Sequence, residues 1–99
     1  MGVRLNRSAL VARGKGDEAS KFASDVCEYL EKLTGIELVW GVEIGNTVGK
    51  IHWYADYDNL AALETAFDQA SKDEGYNKLL DSGNDLFEGH AKDTWVYTS

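Results

Sequence analysis

Ninety-nine residues, 43% of them hydrophobic and including three Trp, five Tyr and three Phe, make one globular domain over 1–99 and exclude both a disordered chain and a second core. Seventeen acidic against ten basic residues leave a formal charge of −7, and no run of Lys or Arg offsets it, so neither a nucleic acid nor an anionic membrane surface is expected as partner. No stretch has the roughly 20 apolar residues of a bilayer span or the apolar run of a signal peptide, and the single Cys27 can close no internal disulfide, so a soluble, cytoplasmic chain is expected.

From the N-terminus, Val3, Leu5, Ala9 and Val11 share one parity, which Arg7 interrupts, and Arg4, Asn6, Ser8 and Leu10 share the other. That alternation predicts a strand with one drier face. "RGKGD" ends it, and it lacks the spacing of a phosphate-binding loop, so it is read as a turn. From Glu18 to Thr34, Ala19, Phe22, Ala23, Val26, Cys27, Leu30 and Leu33 form a helical stripe, with Asp17 as N-cap and Gly35 as stop. Cys27 lies on the inward stripe, where a thiol is packing material and not a nucleophile.

"IELVWGVEI" places Ile36, Leu38, Trp40, Val42 and Ile44 on one side of a second strand. Gly45 and Asn46 tolerate positive φ and turn the chain into an antiparallel hairpin. The third strand, "KIHWYADY", alternates Ile51, Trp53, Ala55 and Tyr57 against Lys50, His52, Tyr54 and Asp56. Asn59 or Asp58 caps the next helix, whose inward stripe is Leu60, Leu63, Ala66, Phe67 and Ala70 and which stops near Gly75. A short helical piece follows, with Tyr76, Leu79 and Leu80 in one contact cluster and Leu86 and Phe87 in another. His90 falls in a connecting loop, and "KDTWVYTS" makes the final strand.

The order βαββαβ predicts a ferredoxin-like α+β fold, in which right-handed crossovers bring the first and third strands side by side and two main helices cover one face of a four-stranded antiparallel sheet. The other face would expose Val39, Leu10 or Trp95 and Tyr97, depending on register, and a second copy of the sheet would cover it.

The same order, the acidic helix start in "DYDNLAALETAF" directly after an aromatic strand, and "DEGYNKLLDSGNDLFEG" before the last strand resemble the dimeric α/β-barrel superfamily, including its antibiotic-biosynthesis monooxygenase-like and NIPSNAP-like proteins, over nearly the whole chain. The resemblance implies a homodimer with sheets face to face and a small molecule held between each sheet and its helices. It also implies a range of activities, among them cofactor-independent oxygenation of polycyclic aromatics, haem degradation and lactone isomerisation. Against the haem-degrading branch, Asn6-Arg7 matches the pair in the first strand, Tyr54 falls at the Trp position, and Leu80, which cannot ligate iron, falls near the His position.

His52, between Lys50 and Tyr54 and near Asn6, could serve as a general base, although strand histidines more often form half-buried hydrogen bonds at a sheet or dimer interface. If the protein is an enzyme, His52, Tyr54, Asn6 and Arg7 are the candidate catalytic residues, with Trp40 and Trp53 as walls of an aromatic site. The alternative for the Trp residues is core and interface packing. Two distant histidines and one cysteine give no metal-ligand spacing, and neither metal nor cofactor is expected. An RNA-recognition domain is disfavoured by the acids that end "GKIHWYADY", and an acylphosphatase by the missing motif around Arg13. Two readings stay open: a homodimer that binds a small aromatic or lipophilic molecule, with cofactor-independent monooxygenase-like chemistry, and a non-catalytic dimerisation or ligand-sensing module.

Overall fold

Period-two alternation decides this structure, because it determines which side chains of each strand face the helices. A computed structural model describes residues 2–45 and 49–99. Its elements are β1 (Gly2–Val11), α1 (Gly16–Thr34), β2 (Leu38–Val42), β3 (Lys50–Tyr57), α2 (Leu60–Ser71), α3 (Glu74–Ser82), a 3-10 turn (Asn84–Leu86) and β4 (Phe87–Thr98). The strands form one sheet in the order β2-β3-β1-β4, antiparallel throughout, so the fold is the ferredoxin-like α+β arrangement with three helices.

β1 lies at the centre and pairs Val3 with Tyr57, Leu5 with Ala55 and Arg7 with Trp53 on the helix-covered face. On the open face it pairs Arg4 with Asp56 and Asn6 with Tyr54. β4 continues both faces: Trp95 and Tyr97 stand opposite Leu5 and Val3, on the helix side. The two aromatics therefore do not belong to the open face. They lie at the sheet margin, 54% and 63% exposed, with Trp95 tilted against Phe67 of α2.

Several element ends differ from the expectation. α1 begins at Gly16, so Asp17 sits in the first turn, where its charge suits the helix dipole, and Lys15 at the N-cap makes no side-chain cap bond. Gly35 ends the helix in the left-handed conformation, φ 75°, and its amide bonds Glu31. β2 is shorter than its alternation suggested. Asn46, expected in the hairpin turn, lies outside the described residues, while Glu43 N–H donates to the Lys50 carbonyl where the hairpin closes. α2 stops at Ser71, before Gly75, because Asp73 caps a separate helix by accepting from Tyr76 N at 2.8 Å. Leu60 is exposed, so the inward stripe of α2 begins at Leu63. β4 begins at Phe87 and not near Lys92. His90 therefore lies within a strand, beside a shift in register between Ser8 and Leu10 that Gly89 accommodates at φ 68°.

The apolar interior divides in two. Ala9, Ala19, Ala23, Val26, Ile51, Trp53, Tyr76 and Leu86 pack together under α1, and Val3, Leu5, Ala55, Tyr57, Leu63 and Ala66 under α2. Between these clusters the helices stand off the sheet. Among the described residues no helix is long and apolar enough to cross a membrane.

Leu63 is 2% exposed, and Asn59 accepts from Ala62 N at 2.8 Å. Leu63→Ala is expected to cost about 2–5 kcal/mol by leaving a void, and Asn59→Ala about 1 kcal/mol by removing the cap. Urea unfolding at one fixed protein concentration checks both, and a cap loss as large as the core loss would contradict the packing described.

Candidate functional site

Members of both clusters line a cavity of about 850 Å³ between sheet and helices, open in part to solvent. Leu5, Arg7, Trp53 and Ala55 form its sheet side, and Phe22, Val26 and Leu30 of α1 face them. Ala66 and Phe67 of α2 and Tyr76 and Leu80 of α3 close it further. The lining is apolar and aromatic apart from a few polar groups, the composition that small-molecule sites share, and the volume falls in their usual range.

Arg7 is the main polar intrusion. It occupies the helix-facing parity of β1, where Leu5 and Ala9 flank it, and it meets Asp93 directly across on β4. Nε donates to Oδ1 at 2.7 Å and Nη2 to Oδ2 at 2.9 Å, a two-pronged pair whose side chains are 37% and 28% exposed. These bonds hold the guanidinium protonated against partial burial, and Arg7 keeps the Asp93 carboxyl below the usual carboxylate range. Tyr76 stands beside the pair; burial pushes its hydroxyl pKa up, while Arg7 opposes the rise. Burial likewise raises Tyr57, on the same wall. The Arg7–Asp93 pair thus gives the cavity a charge-balanced polar edge, and Asp68, Asn77 and Asn84 add polar groups elsewhere in its lining. Trp53 is 6% exposed, and its Nε1–H, shut off from solvent, meets no acceptor among the described residues. A stranded donor costs about 1–3 kcal/mol, so its retention calls for a reason.

The residues expected to act together do not all meet. His52, Asn6 and Tyr54 lie on the open face of the sheet, away from the cavity. There His52 Nδ1 is 3.1 Å from Asn6 Oδ1 and Nε2 is 2.5 Å from Glu43 Oε1, with its ring stacked at 5.9 Å on Tyr54. An imidazolium would donate to both oxygens; a neutral ring keeps one bond unless the Asn6 amide turns to donate. Arg4 and Asp56 complete this surface with a two-pronged ion pair, 2.8 and 3.0 Å. Arg7 and Trp53 face the cavity instead. Trp40 pairs with Trp53 across β2 and β3 and packs against the core without lining the cavity. Asp93 and Tyr76 were not among the expected site residues. Asp93 had a signal: it interrupts the parity of Trp95 and Tyr97 as Arg7 interrupts its own, and two such intrusions of opposite sign on neighbouring strands suggest a pair.

Burial raises the Cys27 thiol pKa to about 11, with Glu31 adding to it, so the residue is packing material as expected. Among the described residues no group of three or more His, Cys, Asp and Glu is placed to hold a metal ion.

No family model and no curated protein matches the chain. Solved structures do. A NIPSNAP domain protein from Burkholderia xenovorans superposes with TM-score 0.83 at 15% identity, covering 100% of this chain and 95% of that one. A NIPSNAP family protein from Agrobacterium tumefaciens gives 0.84 at 13%, covering 100% and 94%. A variant of SnoaB, a cofactor-independent oxygenase from Streptomyces nogalater, gives 0.72 at 10%, covering 98% and 92%. The suspected likeness to NIPSNAP-like and monooxygenase-like proteins therefore holds for the fold, which at these identities is all that it shows.

Arg7 keeps the folded pKa of Asp93 below its ordinary 3.8, so on acidification the unfolded chain binds this proton first. The pair's contribution is whole above about pH 4 and is lost as pH falls through the folded pKa. Asp93→Asn should cost roughly 1–2 kcal/mol at pH 7, less than for a fully buried pair. Urea midpoints measured from pH 7 to pH 2 should show the gap from wild type closing below about pH 4; a gap that stays constant would contradict the assignment.

Proposed function

We propose that this protein binds a small aromatic or lipophilic molecule in the cavity between sheet and helices and works as a homodimer joined through the open sheet faces. The cavity carries the reading. An apolar chamber of about 850 Å³ in a 99-residue chain removes contacts that its core could otherwise make, and a bound apolar molecule restores them. Arg7 and Tyr76 form the polar edge against which such a molecule would be oriented, and Trp53 a wall. Oxygenation without a cofactor is the chemistry suggested by the SnoaB likeness. A cytoplasmic setting agrees with the lone, partly buried thiol.

Support for the dimer comes from the open face, where Val39, Tyr54 and Val96 are 48%, 37% and 52% exposed. A second sheet packed at the usual spacing of about 10 Å would cover them. The placement of His52, Asn6 and Tyr54 on that face favours a second reading, a non-catalytic binding or sensing module in which these side chains serve the interface, because none of them lines the cavity.

The neutral dye N-phenyl-1-naphthylamine should brighten on binding with one site per chain, and Ala70→Leu, which fills part of the cavity, should weaken it about tenfold or more. Dye binding that ignores this substitution removes the cavity from the proposal. Separately, light scattering at micromolar concentration should report twice the chain mass of 10.9 kDa, and Val96→Asp should return it to a single chain with the dye still bound. A wild-type protein that scatters as one chain ends the dimer reading.

A further inference from the structure

Trp53 Nε1 is the one buried side-chain nitrogen or oxygen without a hydrogen-bond partner among the described residues, and the side chain that carries it lines the cavity. The indole ring packs in the core and tilts against Phe87 at 5.9 Å, a role that uses its apolar surface and leaves the stranded donor unexplained. Phe87 in turn tilts against Phe22 at 5.7 Å, so three aromatic rings meet at this end of the chamber.

Charge narrows what could answer the donor. Arg7 is the only cation among the described lining residues, and Asp93 already balances it through two bonds. Asp68, the other charged residue of the described lining, is paired with Lys72 at 3.1 Å, and the chain itself stands at −7. A carboxylate or phosphate would lose its water and meet no unspent positive charge.

We infer that Trp53 Nε1–H is a ligand-binding donor and that its ligand is an uncharged, largely apolar molecule presenting a carbonyl oxygen, an inference that rests on the cavity being a small-molecule site. Because Nε1 is shut off from water while the Trp53 side chain borders the cavity, the arriving molecule reaches this N–H only by displacing the side chains that cover it. Selectivity follows from that seclusion: a molecule of the same shape without the oxygen leaves the donor as stranded as before, whereas the carbonyl satisfies it.

Equilibrium dialysis with 9-fluorenone, fluorene and fluorene-9-carboxylate tests this, since the three share a ring frame and differ in the group at one carbon. Fluorenone is expected to bind about tenfold more tightly than fluorene, and the carboxylate more weakly than either. Trp53→Phe should abolish the preference for fluorenone while keeping the affinity for fluorene. Should that variant not fold, the indole N–H resonance of Trp53 in the wild-type protein gives the answer, moving downfield with fluorenone and much less with fluorene. Equal binding of fluorenone and fluorene, a preference that survives Trp53→Phe, an unmoved indole resonance or tightest binding by the carboxylate overturns the donor assignment and leaves the cavity reading standing. If none of the three binds, the cavity reading falls and this inference with it.

Discussion

The pairing of β1 with β3 is the constraint on which the rest of the molecule depends. β1 occupies a central position with a neighbour on each side, so its register distributes the side chains of three strands between two faces. Consecutive residues of a strand cannot share a face, and Asn6 and Arg7 are consecutive. One joins His52 and Tyr54 on the open surface, and the other enters the chamber beneath the helices. A slip of one residue would exchange these roles and send Leu5 and Val3 into water, which their burial at 6% and 2% shows to be the costlier arrangement.

Below the helices, the molecule trades packing for space. α1 approaches the sheet closely through Ala19 and Ala23, both wholly buried, while larger side chains on the same helix border the opening. Members of both clusters border the unfilled volume, so each gives up some contacts to it. The link from Tyr29 to Asp73 ties α1 to α3, and the same carboxylate caps α3, so one acid both starts a helix and anchors the wall that carries Tyr76. Geometry at the chamber's polar edge is thereby held from the sheet by Arg7 and Asp93 and from the helices by Tyr76.

Much of this was legible from residue order. Alternation in residues 3–11 and 50–57 gave the central strands, the stripe from Ala19 to Leu30 gave α1, and Asn59 gave the cap of α2. Arg7 stood out at once as the wrong residue for its parity. What residue order concealed was long-range: Trp95 and Tyr97 alternate cleanly, yet nothing local says which face they take, because that depends on pairing with a strand more than 80 residues away. "GHA" before the last strand reads as a loop for its glycine, and the bulge opposite Ser8 and Leu10 allows it to run as strand. Asn6, Arg7, His52 and Tyr54 do not form one site, and the alternation of β1 is reason enough, since adjacent strand residues point to opposite faces. Trp53 was picked out for its ring; that its nitrogen would lack a partner was beyond reach, because the absence of an acceptor is a property of every neighbour at once.

The two margins of the sheet differ in a way that bears on solubility. β2 is only five residues long and offers little unpaired backbone, whereas β4 runs for twelve. A flat outer strand of that length is an open template on which stray chains could stack into fibres. Its first half is broken by the bulge at Gly89 and carries Glu88 and Lys92, which interrupts the template where an intruding segment would need a straight, uncharged run. The register shift that draws His90 into a strand thus makes this outer strand a poorer template for edge-to-edge stacking than a regular strand of twelve residues would be.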